Sequence, residues 1–225
     1  MNAAAIVPAF NEEGRVGATV RALLDSGAAG RVVVVDDGSE DRTSLEARRA
    51  GAEVIALRVN RGKGAALMEG AARVDAPVYL FADADLGESA ARLSALVDAV
   101  RRGADIAVAR FEVPGGFGLA KRLARLGIRR LAGREMESPL SGQRALTRRA
   151  LQAVWPLPQG WGVEVAMTVR ALWSGLEVVE VPVELRHRAT GRDFSGFCHR
   201  GKQCLAVART LWGLSRSRPG RKNDG

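Results

Sequence analysis

The feature that most limits how this chain can fold is an alternation. Short apolar runs take turns with stretches whose apolar residues recur at helical spacing, and each early run ends in a polar segment. Residues 3–7 form the first run, after which Val16, Val20, Leu23 and Leu24 mark a helix within 12–27. Residues 32–35 are four valines in a row, as expected of a strand buried on both faces. Residues 42–50 read as a helix, 53–57 as a strand, 64–73 as a helix and 77–82 as a strand. A helical stripe of Leu93, Leu96, Val97 and Val100 lies within 88–102, and the run 106–109 closes the series. This order predicts right-handed crossovers and an α/β, Rossmann-like, mostly parallel sheet flanked by helices.

The second half is less regular. Residues 111–118 are rich in Gly and Pro and read as a loop. A basic helix is expected over 119–132, a short strand over 141–146, a helix over 164–173, strands over 177–183 and 184–187, and a weakly amphipathic helix over 200–214. The polar residues 215–225 read as a frayed tail.

Composition enters here because the charge is lopsided. Residues 1–110 hold 14 basic and 16 acidic side chains, whereas 111–225 hold 20 basic and 9 acidic, so the whole net charge of +9 sits in the second half. A basic half points to an anionic partner such as phosphate, nucleic acid or an acidic membrane surface. With 47% hydrophobic residues, a mainly disordered chain is excluded. No apolar run reaches the length of a membrane span, the residues after Met1 do not form a secretory signal, and Cys198 and Cys204 make neither a disulfide framework nor a metal knuckle. The expectation is a soluble, cytosolic, single-domain protein.

In a parallel α/β sheet, ligands bind beyond the carboxyl ends of the strands. The four segments there are Pro8-Ala9-Phe10-Asn11-Glu12-Glu13, Asp36-Asp37-Gly38-Ser39-Glu40-Asp41, Asn60-Arg61-Gly62-Lys63-Gly64 and Asp83-Ala84-Asp85. The first lacks the GxGxxG of dinucleotide-binding dehydrogenases, and the third lacks P-loop spacing. The third reads either as a Gly turn opening a helix or as backbone N–H groups and one Lys able to hold a phosphate. The second reads either as a turn with a helix cap or as acids bonding a base or ribose. Asp83 and Asp85 are the sharpest feature, because two carboxylates just past a strand suit a hard cation such as Mg²⁺ or Mn²⁺.

Together with Thr43, these four segments resemble the GT-A fold, family 2 glycosyltransferases, in order and in spacing, across roughly residues 3–190. Two branches are similar: dolichyl- or polyprenyl-phosphate sugar synthases and glucosyl-3-phosphoglycerate synthases. Pro139–Arg144 and Gly160–Glu164 resemble both, although the first branch usually has an aromatic where this chain has Gln143. The resemblance implies a nucleotide-sugar-binding half over 1–110, an acceptor-binding half over 111–215 and a tail over 216–225.

The resemblance also implies roles. Pro8, Ala9, Phe10, Asn11, Glu12, Asp36, Asp37 and Gly38 would cradle the nucleoside, with Lys63 near the diphosphate and Ala84 between the two acids. Asp85 would ligate the metal, with Asp83 beside it or beside the ribose, and His187 of the His187-Arg188 pair would be a third ligand. Glu164 would be a catalytic-site carboxylate that orients or deprotonates an acceptor. Arg122, Gln143, Arg144 and Arg188, with Lys121 nearby, would hold the acceptor, whose phosphate oxygen is already ionised and needs cations more than a base.

The implied activity is metal-dependent transfer of a sugar from a nucleotide-diphosphate donor to a phosphorylated acceptor, either a polyprenyl phosphate or a small phospho-acid. Peripheral contact with the inner membrane face and a homodimer stay open. A sugar-phosphate nucleotidyltransferase is the alternative, but it should show a Gly-rich basic loop after the first strand, and Pro8–Glu13 shows none. A nucleic-acid-binding module lacks the interleaved aromatics or zinc motif it should carry, so no specific nucleic acid is expected. Trp155, Trp173 and Trp212 are expected to pack in the core or a lid, with Trp161 set apart by its flanking glycines. His199–Lys202 reads as an acceptor lip or a solvated turn.

Overall fold

The computed structural model describes residues 3–111, 118–157, 162–185 and 194–217, with 194–203 as backbone only. The first strand, β1 (Ala3–Ala9), is followed by α1 (Val16–Asp25), β2 (Arg31–Asp36), α2 (Thr43–Arg49), β3 (Glu53–Ala56), α3 (Lys63–Arg73) and β4 (Val78–Phe81). The stretch expected as one helix over 88–102 divides into a 3-10 segment, Gly87–Leu93, and α4 (Ser94–Arg101). Then come β5 (Ile106–Arg110), α5 (Gly118–Ala132), β6 (Arg144–Thr147), α6 (Arg148–Val154), α7 (Val163–Trp173), β7 (Val178–Pro182) and α8 (Phe194–Arg216).

The sheet has seven strands in the order β3-β2-β1-β4-β6-β5-β7. Pairing is parallel between β1 and β2, β1 and β4, β2 and β3, and β5 and β7. Only β6 runs backwards, antiparallel to both β4 and β5. Two reversals restore the direction, so the six other strands end at one edge.

Alternation along each strand feeds two cores. Ala4, Ile6, Val33, Val35, Tyr79, Phe81, Ile106 and Val108 face one side, with α3, α5, α6, α7 and α8 packed over them. Ala5, Val7, Val32, Val34, Val78, Leu80, Ala107 and Ala109 face the other, under α1, α2 and α4. The valine run of β2 is thus apolar on both faces because both faces are covered. At roughly 1.5–3 kcal/mol per fully buried aliphatic side chain, this central run is a major anchor of the fold.

Three expectations differ. Residues 148–154 form α6, which was not anticipated; Thr147 caps it by accepting from the Ala150 N–H at 3.0 Å. The strand expected over 184–187 does not form in its described part: β7 ends at Pro182, and the Val183 N–H makes a final bond to the Arg110 carbonyl at 3.0 Å. The last helix begins at Phe194, so 199–202 lie within a helix rather than a turn. Among the described residues, no helix is long and apolar enough to cross a membrane.

Candidate functional site

The common strand edge gathers the predicted loops, and the first two are tied together by side chains. Asn11 has a left-handed φ of 54°, which turns the chain out of β1. The N–H groups that follow find acceptors on the second loop and α2. Asn11 donates to Ser39 Oγ at 2.9 Å, Glu12 to Thr43 Oγ1 at 2.8 Å and Glu13 to Asp41 Oδ2 at 3.1 Å. Gly14 and Gly17 donate to the Glu46 carboxylate at 2.5 and 2.9 Å. In return, Glu40 N–H donates to Asn11 Oδ1 and Arg42 N–H to Glu13 Oε2, both at 3.0 Å. Arg15 gives α1 no side-chain cap of its own, so a carboxylate from α2 satisfies its first amides and suits the positive end of its dipole. Burial alone would raise the Asp41 carboxyl, but bonds from Thr43 and from the Thr43 and Glu13 amides outweigh it and hold the group below its ordinary value.

Asp36 and Asp37 are buried beneath this brace, 5% and 3% exposed. Asp36 accepts from the Ser39 N–H at 2.9 Å and from the Ser44 hydroxyl. Asp37 accepts from the Arg61 and Gly62 N–H groups at 2.8 and 2.7 Å. Both oxygens of each carboxylate therefore hold the second and third loops in place. Gly38 is required twice over: its φ is +80°, and a Cβ there would lie 2.9 Å from the Val59 carbonyl carbon. Pro8 is half-buried and Ala9 buried, while Phe10 presents an exposed ring at the end of β1.

Past β4, Ala84 is buried, and its carbonyl accepts from Thr19 Oγ1 at 2.8 Å, while Thr19 Oγ1 itself accepts from the Gly87 N–H at 2.9 Å. That pins the backbone between the two acids. Asp83 is gripped from both sides, by Lys63 Nζ at 2.6 Å on Oδ1 and by Gln143 Nε2 at 2.6 Å on Oδ2. Glu164, in the first turn of α7, lies 3.7 Å from the same ammonium. Burial would lower the Lys63 pKa, but the charges of Asp83, Glu164 and Asp85 and the Asp83 bond more than offset it, so Lys63 is held above its ordinary value. Gly142 passes directly over this ammonium, since a Cβ on it would lie 2.3 Å from Nζ.

One ammonium among Asp83, Asp85 and Glu164 leaves a formal excess of two negative charges, which favours a divalent cation. Among the described residues, no group of three or more His, Cys, Asp and Glu side chains is arranged to hold a metal. Two hard carboxylates suffice where substrate phosphates complete the shell, as is usual for Mg²⁺. The donor set therefore fits a cation that arrives with a diphosphate. His187 and Arg188, expected as metal and acceptor ligands, lie outside the described residues, as does Trp161.

Three acceptor assignments are corrected or refined. Arg144 is fully buried within β6 and is not an anion ligand. Its guanidinium donates to the Ser141 carbonyl at 2.9 Å, the Pro139 carbonyl at 3.2 Å and Thr168 Oγ1 at 2.8 Å. Burial pushes it down to about 10, against the charges of Glu164 and Glu180. It fastens the 139–141 segment, and hence Gly142 and Gln143, onto α7. Gln143 is 1% exposed and serves Asp83 rather than open space. Arg122 lies on the exposed side of α5, whereas its neighbour Lys121 lines a cavity of about 830 Å³.

That cavity opens at the ends of β5 and β7, on the edge that carries Asp83. Arg110 and Lys121 supply its cations, and Glu137 and Glu184 its carboxylates. Arg110 pairs with Glu137 at 2.9 Å, and Arg92 pairs with Glu184. Arg110 was missed in the sequence, although the carboxyl-end rule that found the first four loops applies equally to the strand it ends. Trp155 and Trp212 are 39% and 63% exposed, so of the core-or-lid expectation the core alternative does not hold for either. Trp173 packs against the core, and its indole N–H donates to the Leu131 carbonyl at 2.9 Å.

Comparison with known proteins adds independent findings. The family model described as Glycosyl transferase family 2 matches residues 4–153. A dolichyl-phosphate hexose transferase of Haloferax volcanii is 32% identical over 216 residues, covering 91% of this chain and 92% of that protein. A dolichol-phosphate mannosyltransferase of Pyrococcus furiosus is 28% identical over 210 residues, covering 86% of this chain; the chain spans 59% of that protein's length. Among solved structures, glucosyl-3-phosphoglycerate synthase from Mycobacterium tuberculosis, in complex with Mn²⁺, uridine-diphosphate and phosphoglyceric acid, superposes with a TM-score of 0.78 at 26% identity. That match covers 100% of this chain and 80% of the other.

Proposed function

Because this chain belongs to glycosyl transferase family 2, we propose that it moves a sugar from a nucleotide-diphosphate donor to a phosphorylated acceptor with the help of Mg²⁺ or Mn²⁺. The observation that carries the reading is the cluster of Asp83, Asp85 and Glu164 around Lys63, at the strand edge that also bears a cavity with Arg110 and Lys121. Asp85 would hold the cation, with Asp83 fixed beside it by Lys63 and Gln143. The chemistry supplied by a bound cation is neutralisation of charge on the departing diphosphate.

The chain's own residues do the rest. The loop 8–12, held open by Ser39, Asp41, Thr43 and Glu46, forms one wall of the nucleoside site, and Phe10 offers it an exposed ring. Asp36 and Asp37 fix the second and third loops against each other, and Gly38 lets them pack closely. Lys63 is anchored by Asp83 at the start of α3 and faces the diphosphate. Glu164 is 9% exposed and 3.7 Å from Lys63, a geometry that favours orienting over proton abstraction. An ionised phosphate acceptor needs no base, and Arg110 and Lys121, which line the cavity on this edge, are the cations proposed to hold it.

The acceptor divides the relatives. Dolichyl-phosphate enzymes stand among the sequence relatives, and a phosphoglyceric acid complex among the solved structures. A cytoplasmic location with contact at the inner membrane face follows from a lipid acceptor, and a homodimer is compatible with either. The test is to offer a panel of nucleotide sugars with Mn²⁺ to the chain, together with a polyprenyl phosphate or phosphoglycerate, and to detect the nucleoside diphosphate and the product mass. Turnover stopped by a chelator is expected. No product from any donor with either acceptor overturns the reaction, and chelator-insensitive turnover overturns the cation.

A further inference from the structure

We propose that the outward face of α5 and α8 docks on an anionic lipid bilayer. This goes beyond the proposed reaction, because it rests on the surface of two helices and not on the strand edge. Leu119 and Leu126 of α5 are 73% and 62% exposed, and Leu205 and Trp212 of α8 are 53% and 63% exposed. Each pair is seven residues apart, so each shares one side of its helix. The inward sides bury Ala124, Ile128, Val207 and Leu214 in the same core, and the helices touch closely: a Cβ on Gly127 would lie 2.3 Å from Leu211 Cδ2. The outward sides therefore form one surface. Isolated exposed leucines are ordinary, but four large apolar side chains on one surface are not.

The charge around them selects the partner. Neither helix contains an Asp or a Glu. Among the described side chains, α5 carries Lys121, Arg122, Arg125, Arg129 and Arg130, and α8 carries Arg209 and Arg216. The Arg216 guanidinium stacks 4.3 Å from the centre of the Trp212 ring, joining cation and aromatic on the exposed side. Arg129 pairs with Glu135 just beyond α5 at 3.0 Å, but apolar and aromatic side chains set among basic residues, with no acid on the helix itself, are the signature of a helix lying in a headgroup layer. A second copy of this face would bring like charges together, which disfavours self-association here.

The test is sedimentation of the full chain with phosphatidylcholine vesicles, with and without phosphatidylglycerol. At least about ten-fold more binding to the anionic vesicles is expected, lost at high salt. The double variant Leu126→Glu with Trp212→Glu should stay in the supernatant. A second variant, Arg125→Gln with Arg130→Gln and Arg209→Gln, leaves the apolar residues in place and should lose the preference for anionic lipid. Both should keep wild-type turnover of a soluble acceptor in the absence of vesicles. Equal binding to neutral and anionic vesicles, unchanged binding by folded variants, or a wild-type dimer that the double variant dissolves would overturn the proposal. Vesicle binding without sugar transfer would uphold the docking face and reject the reaction, and the converse would do the opposite.

Discussion

Replacing Gly142 with alanine separates function from folding at the centre of the strand edge. The backbone of Gly142 is not left-handed, so alanine fits its conformation, but the new Cβ would sit 2.3 Å from Lys63 Nζ and 3.4 Å from Asp83 Oδ1. A carbon–nitrogen contact needs roughly 3.5 Å, so the ammonium must retreat by about 1 Å. Its 2.6 Å bond to Asp83 then lengthens to or beyond the limit of a hydrogen bond. Lys63 and Asp83 are 35% and 28% exposed, and screening keeps the stability loss below about 1 kcal/mol. A reacting group displaced by about 1 Å can lower kcat/KM by about 10²-fold. Steady-state kinetics beside a thermal melt should thus show a large loss of turnover with a nearly unchanged Tm. A Gly142→Ala protein with wild-type kcat/KM would refute the role given to the Lys63–Asp83 pair.

Asp85→Asn keeps shape and removes charge; calorimetry should show at least about ten-fold weaker Mn²⁺-dependent nucleotide binding with the fold intact. Unchanged binding would remove Asp85 from the cation site. Arg144→Met leaves the Pro139 and Ser141 carbonyls and the Thr168 hydroxyl without their donor, so denaturant unfolding should report a loss of about 3 kcal/mol or more. A stable variant with a raised acceptor KM would restore Arg144 as an anion ligand. Asp41 has its folded pKa below the ordinary 3.8, so its contribution is present above that value and is lost as pH falls through the lower folded one. Asp41→Asn should therefore flatten the acid limb of the stability profile, and an unaltered limb would contradict the sign.

The first half of the sheet was legible because each strand is a short apolar run whose two faces are both covered, and each helix shows its stripe. The edge that carries the chemistry followed from strand direction alone. What could not be read was partnership. Ser39, Asp41 and Thr43 look like turn and cap residues, and they are, yet the amides they serve belong to Asn11, Glu12 and Glu13, some thirty residues away. Arg144 looked like a cation for an anionic acceptor because a polar Gly-Gln-Arg segment precedes an apolar run. Its burial depends on β6 lying in the middle of the sheet, and no local pattern signals that position. The helix α6 had a local signal, the cap at Thr147, but its seven residues are too few for a clear stripe.

The reversed strand has a last consequence. In an all-parallel sheet, the working edge receives only residues that leave strands. Because β6 runs the other way, its first residue, Arg144, pairs with the last residue of β4, Phe81, and Gln143 arrives beside Asp83. A polypeptide cut anywhere between α4 and β6 would strand the acidic pair on a fragment missing its amide clamp, with β4 ending in an open flank. Any attempt to graft this cation pocket onto another scaffold must carry the inverted strand with it.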